Sequence, residues 1–143
     1  MGRSALIISV RPRFAQLIAE GTKTAELRRV RPRVELGAMV FIYATKPIQS
    51  VVAICQIEHL ISGEKDVVWH RVRNRAAVSR ETFVDYYSDV TVAHALILRE
   101  SVQIAAPIPL ADLRQLWPEF RPPQSFRYIP DEKLSSLEQS CLG

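Results

Sequence analysis

Cysteine and histidine are scarce in this chain, with two and three residues among 143. Cys55 lies inside the apolar segment SVVAICQI, which predicts a buried thiol in a core strand, and the other cysteine is far away in the chain. His59, His70 and His94 are scattered and lack the spacing of metal ligands; Cys55 and His59 come nearest to a ligand pair. We therefore expect neither a disulfide framework nor a metal site.

Long apolar runs are also absent. The longest, AMVFIYA (38–44), is too short to cross a bilayer, and ALIISV (5–10) meets Arg11 before it could form the core of a signal peptide. The N terminus has Leu6 where a myristoylation signal requires Ser or Thr. These absences predict a soluble cytoplasmic protein that does not interact with a membrane.

Glycine is limited to five residues, and none of the common glycine-rich nucleotide loops is present. The sequence contains no G-x-x-x-x-G-K-[ST], no G-x-G-x-x-G and no G-x-S-x-G segment. Phosphate-loop nucleotide chemistry and serine-hydrolase chemistry are therefore not expected. No cofactor is predicted.

Positive charge, in contrast, is abundant in the N-terminal third. Residues 1–50 hold nine Lys or Arg and three Asp or Glu, a net charge of +6, whereas the remainder carries −2 and the whole chain +4. Such a concentration favours a phosphate-bearing partner, because each neutralised phosphate releases counterions. A solvated basic face with no ligand would have the same composition.

Apolar segments with β-branched residues and alternation predict strands, and segments with helical spacing predict short helices. We expect strands over 4–10, 24–30, 37–45, 50–61 and 92–104, the third and fourth joined by the turn KPIQ. We expect helices over 12–21, 66–78, 80–87, 109–117 and 130–140, and a proline-rich loop over 121–130. Without regular βαβ alternation, the pattern predicts a single α+β domain, residues 1–143, with a curled or barrel-like sheet.

The segment EGTKTAELRR (20–29) places several charges along one strand. Alternation puts Ala25 and Leu27 on one side, and Thr24, Glu26, Arg28 and Val30 on the other. Glu26 and Arg28 are then roughly 6 to 7 Å apart on one face. They form either an exposed salt bridge, contributing about 0 to 1 kcal/mol, or a donor and acceptor pair in a cleft, with Lys23 as a mobile charge at the turn.

Three segments together resemble the ASCH domain, a branch of the PUA-like superfamily. They are SVRPRFAQLIAEGTKTAELRR, VFIYATKPIQSVVAICQIEHL and PPQSFRYI, and the similarity extends over about residues 4–129, leaving 130–143 as a helical tail. The most specific element is G-x-K-T-x-E-x-R, from Gly21 to Arg28. The resemblance implies a small β-barrel of about five or six mixed strands with short flanking helices. It also implies that Lys23, Glu26 and Arg28 line a cleft for RNA or a modified nucleotide.

Other residues are candidates for the same cleft, each with an ordinary alternative. Tyr43 would line it or belong to the core, and Phe126 or Tyr128 would stack on a base or pin the proline-rich loop to the barrel. The arginines at 71, 73 and 75 are expected on a solvated face. The full set of expected ligand-binding residues is Lys23, Thr24, Glu26, Arg28, Tyr43, Thr45, Ser125 and Arg127.

Three classes of function remain open. The first is a module that binds RNA or a modified nucleotide. The second is a hydrolase, since the resemblance includes amidohydrolases acting on acylated cytidine and proposed ribonucleases; Lys23 would be the base and Glu26 the proton shuttle. The amidohydrolase branch has threonine where this chain has Glu26, and Glu58 or Glu81 would have to supply a further catalytic glutamate. The third is a protein adaptor in transcription, with an exposed apolar patch. The oligomeric state is open in all three.

Overall fold

The computed structural model describes residues 3–142, which form six strands and five short helices. In chain order these are β1 (Arg3–Val10), α1 (Pro12–Ala19), β2 (Ala25–Arg28), β3 (Val34–Ala44), β4 (Ser50–Glu64), α2 (Lys65–Val72), α3 (Arg80–Tyr86), β5 (Val92–Pro109), α4 (Leu110–Leu116), β6 (Phe126–Tyr128) and α5 (Asp131–Leu142). None of these helices is long and apolar enough to span a bilayer.

All six strands belong to one mixed sheet in the order β2-β5-β4-β3-β1-β6. β1 and β3 are parallel, and every other neighbouring pair is antiparallel. The expected β3–β4 hairpin is present, with Met39 opposite Gln56 and Ala44 opposite Ser50. The sheet curls so strongly that a side chain of β2 reaches the backbone of β1, as described below. The predicted α+β class with a barrel-like sheet of about six strands is confirmed.

Alternation along the strands divides the apolar side chains among three clusters. The interior core lies inside the curl and is covered by α1. A second cluster, the α4–α5 core, lies on the opposite face of β1 and β3, and a third, the α2–α3 core, lies outside β2 and β5. Burial of each large apolar side chain contributes about 1.5 to 3 kcal/mol. The sheet is therefore held on both faces, and polar side chains in its interior need partners.

The expected segment boundaries need several corrections. The loop over 121–130 contains β6, which pairs with β1 because the extended backbone after the prolines lies beside a free strand edge. The predicted helix over 66–78 ends at Val72, residues 73–75 form a turn, and Ala77 has a positive φ of 57°. β2 is confined to 25–28, so Val30 lies outside it and is exposed. β5 is longer than expected and runs to Pro109.

Candidate functional site

A tight turn between α1 and β2 positions the side chain of Lys23 inside the curled sheet. Pro12 stands at the first helical position, where its missing N–H is not needed. Gly21 follows the helix at φ +82°, a left-handed conformation that favours glycine. The amides of Gly21 and Thr22 donate to the carbonyls of Ile18 and Leu17, which is a Schellman motif. The chain thereby reverses directly and enters β2 two residues after Lys23.

Lys23 is buried, with 2% of its surface exposed. Its Nζ donates to the carbonyl oxygen of Ala76, lies 3.7 Å from Glu26 Oε1, and stands 5.1 Å from the centre of the Phe14 ring. The expectation of a mobile charge at the turn is therefore wrong. The reason is that the α2–α3 connection packs over the turn and supplies an acceptor 53 residues away in sequence.

Glu26 and Arg28 form the central ion pair of the site. Arg28 Nη2 lies 2.5 Å from Glu26 Oε2 and also donates to the Ser9 carbonyl oxygen over 3.0 Å. Arg28 Nη1 donates to the carbonyl and to Oγ of Ser125, each over 3.2 Å. Glu26 and Arg28 are 7% and 6% exposed, so the alternative of an exposed salt bridge is wrong. The structure thus brings Lys23, Glu26, Arg28 and Ser125 together as one charged cluster.

Burial sets the electrostatics of this cluster. Desolvation lowers the pKa of Lys23 below its ordinary 10.5, while the attraction and hydrogen bonding of Glu26 act in the opposite direction. Burial raises the pKa of the Cys55 thiol to about 12, and the negative charge of Glu26 adds to that effect. Cys55 is fully buried in the interior core, as expected. Glu26 is itself 7% exposed, so its charge is weakly screened.

Arg75 is a neighbour of the cluster that the sequence did not indicate. It was expected on a solvated face, but it is half-buried, and its Nε donates to Thr24 Oγ1 over 3.0 Å. Its carbonyl accepts from the amides of Thr24 and Ala25, and its Nη2 lies 4.0 Å from Glu58 Oε2. The every-second-residue spacing of arginines carried no signal for this role, because Arg75 lies after the helix has ended. Thr24 therefore hydrogen-bonds Arg75, and no hydrogen bond within residues 3–142 joins its side chain to Glu26 or Arg28.

Three of the expected cleft residues lie away from the charged cluster. Tyr43 packs in the α4–α5 core, with its ring 6.1 Å from that of Phe120. Arg127 stacks 4.4 Å above the Trp117 ring, on the same side. Thr45 is half-buried at the end of β3, and its amide donates to the Val10 carbonyl. No hydrogen bond or ion pair within residues 3–142 joins any of these three to Lys23, Glu26 or Arg28.

Three buried side-chain polar atoms in the described part of the chain have no hydrogen-bond partner: Ser9 Oγ, Arg28 Nε and Tyr43 Oη. The three residues are linked through Ser9, which accepts from Arg28 by its carbonyl and is in register with Tyr43 on the neighbouring strand. The amide of Ser9 also donates to the carbonyl of Ser125 over 3.0 Å. We call these four residues, Ser9, Arg28, Tyr43 and Ser125, the β1-end site.

A surface cavity of about 590 Å³ lies on the Tyr43 side of this site. It is lined by Arg114, Pro118, Glu119, Phe120 and Arg121. Burial raises the pKa of Tyr43, and the positive charge of Arg114 acts against that rise. Phe120 contacts both the cavity and the Tyr43 ring. The cavity wall therefore carries two arginines and one glutamate, and Phe120 connects it to Tyr43.

Two further expectations concern acidic and metal-binding groups. Glu58 lies beside Arg75, whereas Glu81 is exposed in the first turn of α3, where no described contact links it to the cluster. Within residues 3–142, no three His, Cys, Asp or Glu side chains are grouped so that they could hold a metal ion.

The family of this chain follows from its similarity to known proteins. The ASCH domain model matches residues 8–88, more than half of the chain. An ASCH domain-containing ribonuclease of Zymomonas mobilis is 35% identical over 135 residues, which cover 94% of this chain and 90% of that protein. The chain belongs to the ASCH domain family.

Solved structures extend the comparison of this ASCH chain. The crystal structure of ASCH from Zymomonas mobilis has a TM-score of 0.91 at 34% identity and covers 96% of this chain and 95% of that one. Human THYN1, solved in complex with DNA containing 5-methylcytosine, has a TM-score of 0.59 at 12% identity, with 98% of each chain covered. At that identity the likeness to THYN1 shows the fold alone. The family predicted from the three sequence segments is confirmed.

Proposed function

We infer that this ASCH protein binds RNA, and that the RNA contacts the β1-end site. The observation that carries the proposal is the set of three unpartnered polar atoms on Ser9, Arg28 and Tyr43. Most buried polar groups in proteins have a partner, and leaving one without a partner costs about 1 to 3 kcal/mol. Because the three atoms are enclosed, the proposal requires the β1-end site to open when RNA binds, and hydrogen bonds to the ligand then offset that cost.

RNA supplies the groups that these atoms need. A phosphate or base-edge oxygen accepts from a guanidinium N–H such as Arg28 Nε. A ribose 2′-hydroxyl both donates and accepts, which matches hydroxyls such as those of Ser9 and Tyr43. A modified nucleotide has the same kinds of phosphate, ribose and base groups, although fewer of them. It is therefore part of the proposed ligand class.

The charge around the β1-end site also supports this function. Arg11 and Arg13 are exposed directly after β1, and Arg29, Arg31 and Arg33 are exposed in the segment after β2. Positive charge close to a binding site attracts the phosphate backbone independently of its sequence. Affinity for RNA should therefore fall as salt rises.

In this proposal the expected site residues have unequal roles. Lys23 and Glu26 are enclosed by protein partners and hold Arg28 in position. Arg28 and Ser125, with Tyr43, contact the ligand. Thr24 acts through Arg75, and Thr45 and Arg127 lie at the periphery of the RNA path.

RNA cleavage is a second candidate function, and a specific observation favours it: the Zymomonas mobilis relative, 35% identical, is named a ribonuclease. Attack by the 2′-hydroxyl oxygen on the adjacent phosphorus forms a new O–P bond and breaks the bond from phosphorus to the 5′ oxygen. A base must take the 2′ proton, and an acid must protonate the leaving 5′ oxygen. Lys23, with its lowered pKa, is the candidate base, and Glu26 is the candidate proton shuttle.

One experiment tests both candidates. A short labelled single-stranded RNA is titrated by fluorescence anisotropy at several salt concentrations, and the same samples are followed on gels for products. Binding whose logarithm falls linearly with log salt, by about 0.7 per phosphate contact, supports the proposed function. No binding, or binding unchanged by salt, contradicts it.

The variants separate binding from catalysis. Glu26→Gln keeps the shape of the side chain but removes its proton transfer, so a catalytic Glu26 predicts a rate loss of about 10² to 10⁴ at saturating RNA, where a change of affinity through Arg28 does not contribute. If the protein only binds, no product forms with wild type. Glu35→Gln makes the same chemical change on an exposed residue and serves as the matched control. Circular dichroism and urea unfolding establish that each variant is folded at the assay temperature.

A further inference from the structure

A second polar group lies on the interior face of the sheet, beside the ion pair. Arg28 on β2 is in register with His94 on β5, and His94 is in register with Ser62 on β4. Residues in register on antiparallel strands have Cα atoms about 4.5 to 5.5 Å apart and side chains on the same face. Arg28, His94 and Ser62 therefore form a row across three neighbouring strands at the end of β2.

Two hydrogen bonds connect Arg31, Ser62 and His94. Arg31 Nη1, from the segment after β2, donates to Ser62 Oγ over 3.1 Å. Ser62 Oγ is 2.7 Å from His94 Nδ1. A hydroxyl has one proton and two lone pairs, so Ser62 Oγ can accept from Arg31 and at the same time donate to Nδ1 of the His94 tautomer that carries its proton on Nε2. Burial, and then the charge of Arg31, lowers the pKa of His94, which agrees with a neutral ring.

The outward-facing donors of this group have no described partner. Within residues 3–142, no carboxylate pairs with Arg31, whereas Arg29 in the same segment pairs with Asp89 at 3.5 Å. His94 Nε2 likewise has no hydrogen-bond partner among the described residues. It is not one of the buried unpartnered atoms, so it is open to solvent. Ser62 and Arg31 are exposed, and His94 is half-buried. Arg31, which has no carboxylate partner among the described residues, is thus connected through Ser62 to His94.

We propose that Arg31, Ser62 and His94 form a phosphate-binding site adjacent to Arg28, and that this site takes a phosphodiester group of bound RNA. Arg31 supplies the charge and a guanidinium edge, His94 supplies a neutral Nε2–H donor, and Ser62 orients both. The assignment to RNA rests on the proposed function, whereas the phosphate site itself does not. A phosphate here would lie one strand away from the Arg28 guanidinium, which extends the RNA path beyond the β1-end site.

The first test uses inorganic phosphate and does not depend on RNA binding. The protein labelled with ¹⁵N is titrated with phosphate against sodium chloride of equal ionic strength, and the His94 ring and the Ser62 and Arg31 amides are followed by NMR. Saturable shifts at these residues, lost in Arg31→Gln, are expected. If phosphate causes no shift beyond the chloride control, the site does not exist, whether or not RNA binds elsewhere.

The second test assigns the ligand with the labelled single-stranded RNA. Arg31→Gln should reduce the slope of log affinity against log salt by about one contact, and Ser62→Ala should weaken binding while Ser62→Thr, which keeps the hydroxyl, restores it. Arg80→Gln, whose arginine forms an exposed pair with Asp66 and lies outside the basic segments that follow β1 and β2, is the control and should leave the slope nearly unchanged.

The two tests fail separately. If phosphate shifts the NMR signals but the RNA affinity does not change in Arg31→Gln and Ser62→Ala, the assignment to RNA is overturned. The site would then bind free phosphate or a phosphomonoester. A wild-type protein that binds phosphate here but no RNA would overturn the proposed function and, with it, the RNA assignment.

Discussion

Arg28 on β2 donates to the carbonyl oxygen of Ser9 on β1 over 3.0 Å, although β5, β4 and β3 separate these two strands in the sheet. The same guanidinium bonds Ser125, the residue that precedes β6. The two ends of the curled sheet are therefore joined at this point by a side chain. Because Arg28 is also paired with Glu26, the stability of the barrel and the geometry of the candidate site depend on one ion pair.

Removing either partner of this pair should strongly destabilise the fold. We expect Arg28→Met and Glu26→Gln each to lower the free energy of unfolding by about 3 to 5 kcal/mol, because each leaves a buried charge without its partner. The double variant should lose less than the sum of the two. Urea unfolding followed by circular dichroism measures all three. Arg29→Met, at an exposed pair with Asp89, should cost no more than about 1 kcal/mol. Strictly additive losses would show that the pair is not coupled.

The pKa of Lys23 should fall further when Glu26 is neutralised. Burial lowers this pKa and Glu26 raises it, so Glu26→Gln removes the opposing effect. NMR titration of the ¹³Cε resonance of Lys23 in folded wild type and Glu26→Gln measures the change. An unchanged or higher pKa of Lys23 in Glu26→Gln would contradict the conclusion that Glu26 raises this pKa against the effect of burial.

The same shift predicts how stability depends on pH. The folded-state pKa of Lys23 is below 10.5, so between the two values the unfolded chain binds more protons than the folded one. The contribution of Lys23 to the free energy of unfolding therefore rises with pH across that window. Below the lowered pKa, the cost of burying the charged ammonium group in the folded state is fully present. The difference between wild type and Lys23→Met in urea unfolding should shift in favour of wild type as pH increases. A difference that does not vary with pH would contradict the lowered pKa.

The Ser125 hydroxyl should matter little for stability. In Ser125→Ala, Arg28 Nη1 keeps its bond to the Ser125 carbonyl, so we expect a loss of about 0.5 to 1.5 kcal/mol, the contribution of one hydrogen bond. RNA affinity should fall more clearly, since the hydroxyl belongs to the β1-end site. A large loss of stability with unchanged affinity would assign Ser125 a purely structural role.

Two buried tyrosines provide a matched pair for the unpartnered hydroxyl. Tyr43 Oη has no partner, whereas Tyr87 Oη donates to the His94 carbonyl over 2.7 Å. Tyr43→Phe should keep or raise stability by about 1 kcal/mol, and Tyr87→Phe should lower it by about the same amount. Tyr43→Phe should nevertheless weaken RNA binding. Equal losses of stability in both variants would mean that the Tyr43 hydroxyl is satisfied in solution.

Local patterns in the sequence predicted much of this architecture. Alternation placed Ala25 and Leu27 opposite Glu26 and Arg28, and the structure confirms it, with the two apolar residues in the α2–α3 core. Ser79, the residue before the helix predicted over 80–87, caps α3 and accepts from the Thr82 amide over 3.1 Å. These features depend on residues close together in the chain, which is why they can be read from it.

The errors concern contacts between distant segments. The burial of Lys23 depends on the carbonyl of Ala76, and a backbone carbonyl carries no residue-specific signal. The position of Arg75 beside Thr24 depends on where α2 ends. The formation of β6 depends on the edge of β1 with which it pairs. The row formed by Arg28, His94 and Ser62 exists only through strand register, which a single sequence does not specify.

The link between Arg28 and Ser125 also constrains the timing of biosynthesis. The two residues are 97 positions apart, and the ribosome makes Arg28 first. Until residues 125–128 have left the exit tunnel, β1 lacks its β6 neighbour and the Arg28 guanidinium lacks two of its acceptors. The β1-end site is therefore completed only once β6 has emerged, so under the proposed function a nascent chain should bind RNA only after all six strands of the sheet have been made.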